Sequence, residues 1–168
     1  MGRKTPTSRA EALKMQEKRQ KKVNIPSEDR LQAEIVRDFA DKHPERRGQL
    51  FLIDNNADNV ASMGKKITLG LVKNISDLIL SEDGYIVGLE LKTTDSKHDA
   101  EHCKGQAIWI RDWCYRGGFI VSKEMFWDVY NKKSNGIPPE FVIDYIKETG
   151  LKTLNFGKIY QKYLESIK

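Results

Sequence analysis

The chain has 168 residues, enough for one domain with a real core and little room for a second. Hydrophobic content is 39%, no run approaches the roughly 18 apolar residues of a membrane span, and the N-terminus lacks the apolar core of a signal peptide, so the chain reads as soluble and unexported. The net charge of +5 is uneven: residues 1–22 hold eight Lys or Arg against two Glu, and the remainder is near neutral.

Such a basic arm on a neutral body commonly holds a polyanion, with nucleic acid the first candidate and a solubilising tail the bland alternative. The arm lacks Trp, Phe and a firm apolar face, which disfavours a membrane surface. Its candidate nucleic-acid contacts are Arg3, Lys4, Arg9, Lys18, Arg19, Lys21 and Lys22. Cys103 and Cys114, the only two cysteines, fall on one expected helix and cannot easily bridge. That favours a reducing compartment, the cytoplasm.

Residues 1–26 read as arm and linker, with Pro26 at the end. Ser27 is a good N-cap for a helix to about residue 42, with Leu31, Ile35, Val36 and Phe39 as its apolar stripe. His43-Pro44 closes it. Residues 49–53 form a short strand candidate. Residues 55–74 are polar and read as a long loop, of the kind usually kept for function. Two apolar runs on either side of Asp83-Gly84 follow, a strong hairpin signal. Residues 99–115 have helical periodicity, ended by Gly117-Gly118. A strand over 119–122 and a helix over 123–132 come next. Two further helices, from Pro138-Pro139 to about 149 and over 156–167, complete the chain. The order is helix, three strands, helix, strand, then accessory helices.

The hairpin carries the chemistry. With Asp83 and Gly84 as the turn, Glu82 pairs with Tyr85 and Asp77 falls opposite Glu90. Lys92 points the same way as Glu90. Opposed Cβ atoms lie about 5 Å apart. Two carboxylates that close repel unless a cation sits between them, and Mg²⁺ suits such an oxygen-lined gap. Gln106 shares the buried face of the next helix with Cys103, Ile110 and Trp113. Among apolar neighbours its amide needs partners, and an active site or the backbone would supply them. Trp109 and Trp113 read as core. His98 and His102 stand four apart, but with no second ligand pair a zinc site is a weak reading. Lys65, Lys66, Lys73, Asn55 and Asn56 in the long loop are candidate phosphate contacts.

The approach Gly70-Leu71-Val72-Lys73-Asn74-Ile75-Ser76-Asp77, the Glu90-Leu91-Lys92 triplet, Gln106 with Trp109 and Gly117-Gly118, and Ser27-Glu28 with Gln32 together resemble the PD-(D/E)xK nuclease superfamily. The nearest branch is VRR-NUC, common in phage proteins and DNA-repair enzymes. The resemblance covers about residues 27–130. Ser76 stands where the family usually has Pro. It implies an α/β restriction-endonuclease-like αβββαβ core with a mixed central sheet over 27–132, a basic arm over 1–26 and C-terminal accessory helices over 133–168.

The resemblance also implies a Mg²⁺- or Mn²⁺-dependent DNA endonuclease leaving 5′-phosphate and 3′-hydroxyl ends. Asp77, Glu90 and the Leu91 carbonyl would bind metal, and Lys92 would position or deprotonate the attacking water. Burial beside a metal would lower the Lys92 pKa. Glu28, which faces the same side as Leu31 and Ile35, is the candidate helix-borne acid, although a first-turn acid also complements the helix dipole. The rival is a non-catalytic DNA-binding protein on the same fold, and RNA is a third substrate class. Junction-resolvase-like members act as dimers, and the oligomer stays open here.

Overall fold

The computed structural model describes residues 27–53 and 74–168. Helix α1 (Ser27–Lys42) leads through a 3₁₀ turn at Pro44–Arg46 to β1 (Leu50–Leu52). Then come β2 (Leu78–Glu82), β3 (Tyr85–Leu91), β4 (Lys97–Asp99) and helix α2 (Ala100–Trp113). The chain ends with β5 (Arg116–Ile120), α3 (Lys123–Tyr130), α4 (Pro139–Thr149), β6 (Thr153–Asn155) and α5 (Phe156–Ser166). The class is mixed α/β. The main sheet runs β1-β2-β3-β5, with the first three strands antiparallel and β5 parallel to β3. A parallel neighbour requires a crossover, and α2 provides it. Among the described residues no helix is long and apolar enough to cross a membrane.

The hairpin forms as its sequence dictates. Asp83 and Gly84 have φ of 49° and 83°, and two positive values match the twist of the flanking strands. Glu82 therefore pairs with Tyr85 and Leu78 with Leu89. Away from the turn both strands are buried on both faces, over Leu78–Leu80 and Val87–Leu91, which is where their apolar runs lie. Val87, Leu89 and Leu91 alternate onto one face with Leu78 and Leu80, in one core with Ile35 and Phe39 of α1 and Phe126 of α3. The other face of β3 lies under α2, where a side chain at Gly88 would meet Ile110 and Cys114. At the turn end, Arg116 Nη2 of β5 lies 3.0 Å from Glu82 Oε2 and ties β5 to β2 across the end of β3.

Several expectations need correcting. Gly117 and Gly118 do not end α2; they lie inside β5, and the helix stops at Trp113 with Cys114 as its cap. The strand needs a glycine there: Gly117 has φ 132°, and a Cβ would stand 1.9 Å from the Gly88 carbonyl oxygen. Trp113 is not core; it is 74% exposed, and Ile110 and Cys114 are the residues of this turn that meet the sheet, at Gly88. Trp109 is half-buried. Val36 is exposed as well, since Ile35 and Phe39, one turn apart, already fill the contact with the sheet. The C-terminal segment holds more than helices: β6 pairs antiparallel with β4, with His98 opposite Leu154. Helix α4 packs along α2, with Gly150 closing it as expected.

Gly117→Ala should combine a strained backbone with a steric clash. The expected loss is at least about 2 kcal/mol of unfolding free energy, read from urea denaturation.

Candidate active site

Asp77 immediately precedes β2 and Lys92 immediately follows β3. Extending the register by one residue beyond Leu78 and Leu89 sets Asp77 opposite Glu90. Asp77 Oδ2 accepts a hydrogen bond from the Leu91 backbone N–H at 3.0 Å, which fixes the aspartate against the central strand. Lys92 Nζ donates to Glu90 Oε1 at 2.5 Å. Gln106 Nε2 donates to the same oxygen at 2.6 Å from the buried face of α2. The four side chains singled out from the hairpin and the following helix thus come together.

Glu90 is fully buried, and its pKa is pushed up to about 8. Burial is the main cause and the nearby Asp77 carboxylate the next; the Lys92 ammonium pulls the other way. Lys92 departs from expectation. Burial acts to lower its pKa, but the carboxylates of Glu90 and Asp77 outweigh that and hold it above the ordinary lysine value. Two carboxylates face one ammonium, so the cluster carries excess negative charge and retains protons.

Glu28 lies further out, on the first turn of α1. Its Oε1 is 3.5 Å from His98 Nδ1. The His98 ring packs edge-on against Phe156, with Nε2 3.3 Å from the Thr93 carbonyl oxygen. The His98 pKa is lowered by burial and by the Lys92 charge, with Glu28 opposing. Cys103, packed into the same region, has its thiol pushed up to about 12, chiefly by burial. His98 sits on a strand and His102 is exposed on α2, so the two do not share a helix face. Arg3, Lys4, Arg9, Lys18, Arg19, Lys21, Lys22, Asn55, Asn56, Lys65, Lys66 and Lys73 lie outside the described residues.

The buried oxygens Glu90 Oε2, Gln106 Oε1 and Glu28 Oε1 have no hydrogen-bond partner. Buried acceptors are rarely left without one. An oxygen-rich donor set with unused lone pairs fits a hard divalent cation. Among the described residues no three His, Cys, Asp or Glu side chains close into a ready ligand cage. Asp77 and Glu90 would therefore be the protein's principal anionic donors. A groove of about 570 Å³ runs past Thr93 and Thr94, between the start of α1 and the start of α3, and none of Asp77, Glu90, Lys92 and Gln106 lines it. Its charges are mixed, with Arg30 and Lys123 set against Glu34, Asp95 and Glu124.

Comparison with protein-family models, curated proteins and solved structures found no match. The reading of the site therefore rests on its own geometry. Sequence reasoning overlooked the His98–Glu28 contact. The only available signal was a histidine next to a charged run, and the pairing that holds it comes from β6, far along the chain.

Because folding raises the Glu90 pKa from about 4.5 to about 8, the folded state holds an extra proton between those values. The associated stability is complete below pH 4.5 and is lost as pH rises towards 8. The unfolding free energy of wild type minus that of Glu90→Gln should thus fall across this window, by up to a few kcal/mol. Denaturant titrations of both proteins at several pH values measure the slope.

Proposed function

We propose that the protein is a metal-dependent DNA endonuclease on a restriction-endonuclease-like core. One observation carries the reading: Asp77 and Glu90 oppose each other at the hairpin's open end, with Lys92 bonded to a fully buried Glu90 whose second oxygen is unpartnered. A core built only for stability would put an apolar residue at this central-strand position, since an imperfectly satisfied buried carboxylate is costly.

Asp77 and Glu90 would hold Mg²⁺ or Mn²⁺, with the Leu91 carbonyl adjacent. A bound divalent ion polarises a scissile phosphate and lowers the pKa of a coordinated water. The chain's own groups have separate tasks. Gln106 fixes the Glu90 carboxylate through the bond to Oε1. The Leu91 N–H aims Asp77. Lys92, whose pKa is raised, remains an ammonium. It acts as a donor that orients the attacking water and steadies charge on the phosphate, and proton removal falls to another group.

The near-neutral body and the mixed charges of the groove supply little long-range attraction for DNA. Most of that attraction would come from residues 1–22, through phosphate contacts that weaken steeply with salt.

Incubation of supercoiled plasmid, branched DNA and RNA with and without Mg²⁺ tests the reading. Wild type should cut DNA only with the metal. Asp77→Ala and Lys92→Ala should each reduce cleavage at least about 100-fold while leaving DNA binding largely intact. Equal cutting by all three proteins would refute the site, and a gel shift without cutting would favour the DNA-binding alternative. Deleting residues 1–22 should flatten the salt dependence of binding; an unchanged slope would remove the arm from the mechanism.

A further inference from the structure

We propose that the groove outside the ends of β3 and β5 binds one unpaired nucleotide of a DNA strand, with its phosphate at Arg30 and Lys123 and the amino edge of its base at Glu34 and Asp95. The inference takes from the nuclease reading only that DNA is the partner, and it holds whether or not that DNA is cut.

The fold opens a crevice at this place. β3 and β5 are adjacent and parallel, so both end at the same edge of the sheet. The chain leaves β3 for α2, which covers the face of Gly88 and Glu90. It leaves β5 for α3, which packs instead on α1, through Phe39 with Phe126 and Asp38 with Trp127. Connections that depart to opposite faces part the chain at the strand ends, and ligands of open α/β sheets bind in that opening. The groove runs there, past Thr93 and Thr94 beyond β3 and Ser122 beyond β5, with the first turns of α1 as its other wall. Its volume of about 570 Å³ falls in the range of small-ligand sites, about 300–1,000 Å³.

The groove offers charges of both signs, and its cations are loosely held. Arg30 Nε lies 3.8 Å from Glu34 Oε1 in an exposed pair, and exposed pairs are weak. Lys123 Nζ lies 3.9 Å from Asp38 Oδ2, an oxygen that already accepts from Lys42 at 3.0 Å and from Trp127 at 2.9 Å. Both cations can therefore turn to an anion at little cost. Glu124 is committed to its own helix: its backbone N–H and the Ser122 hydroxyl hold its carboxyl below the ordinary glutamate value. Asp95 pairs with no described cation, so Asp95 and Glu34 stay available as acceptors. Thr93 is 7% exposed, and its hydroxyl oxygen has no hydrogen-bond partner. A ligand seated in the groove offers it one.

This combination selects the ligand. Inorganic phosphate or a duplex backbone brings only negative charge, which the two free acids oppose. A nucleotide brings a phosphate for Arg30 and Lys123 and, on cytosine or adenine, an amino group that a carboxylate accepts from. Thymine has no such group. The amino edge is open only where the base is unpaired.

The test measures binding of labelled oligo-dC, oligo-dT and a blunt duplex to the full chain without divalent metal. Wild type is compared with R30A/K123A and E34A/D95A, and all three melting temperatures are recorded. Wild type should hold oligo-dC about 5-fold or more tighter than oligo-dT. R30A/K123A should weaken both about 10-fold. E34A/D95A should bind the two strands alike. The single variants Arg30→Gln and Lys123→Gln carry the same test if the double variant melts lower. Deoxycytidine monophosphate should compete for the groove only at a large excess, because residues 1–22 reach the rest of a strand.

No preference for oligo-dC in wild type, or wild-type binding by R30A/K123A, overturns the proposal. A preference that persists in E34A/D95A, with both strands held tighter, also overturns it and reduces the groove to general electrostatics. Equal affinity for the mononucleotide and the strand overturns it in favour of a free nucleotide. Plasmid cleavage with Mg²⁺, run on the same proteins, separates the two readings. Cutting without base preference leaves the nuclease and removes this inference, whereas base preference without cutting does the reverse.

Discussion

A carboxylate with no solvent exposure stands in the central strand, and the rest of the site is organised around it. Glu90 Oε1 accepts from both Lys92 and Gln106, which come from the end of its own strand and from the covering helix. Desolvating a charged carboxylate costs several kcal/mol unless ammonium and amide donors offset it. Here the compensation is incomplete, since Oε2 has no partner and Asp77 adds a second negative charge. The raised pKa of Glu90 expresses that deficit. Sites that conflict with the local rules of stability are where function is expected to reside.

Legibility in the sequence followed the distance over which each contact forms. The hairpin was readable because its determinants are local: a turn dipeptide between two short apolar runs. Once Asp83-Gly84 fixed the register, the opposition of Asp77 and Glu90 and the direction of Lys92 were a matter of counting. Gln106 was readable from the 3.6-residue period that also buries Cys103 and Ile110. Trp113 obeys the same period yet is exposed: Ile110 and Cys114 make the contact with Gly88 there, and periodicity does not reveal which of the neighbouring positions meets the sheet. Gly117-Gly118 resembles a helix stop, but its cause is the close passage of β5 against Gly88. The β4–β6 ladder was not legible. Three polar residues, Lys97-His98-Asp99, pair with a segment more than fifty residues away, and nothing local distinguishes them from a loop.

The site and its surroundings accordingly have two parts of different origin. One is built by neighbours in sequence, from Asp77 to Gln106. The other depends on Glu28 of α1 and His98 of β4, with Leu154 and Phe156 behind them, so opposite ends of the described chain meet there. The first half holds its geometry through sheet hydrogen bonds that would survive many surface changes. The second depends on long-range packing. The C-terminal segment lies beyond the part of the chain that resembles a nuclease, yet it braces the turn directly after Lys92.

The charge balance of the cluster bears on what Lys92 can do. Asp77, Glu90 and Lys92 together carry one negative charge in excess when all are ionised, in surroundings that solvate it poorly. Such a cluster relieves the excess by holding a proton or by holding a cation, and the raised pKa values of Glu90 and Lys92 reflect the first state. A proton on Glu90 and a divalent ion at the same oxygens are mutually exclusive, because carboxylate ligands bind metal deprotonated. The burial that raises the Glu90 pKa would therefore make the proposed metal binding proton-linked near neutral pH. The ammonium of Lys92 is common to both states, which suits it to orient a nucleophile more than to accept its proton.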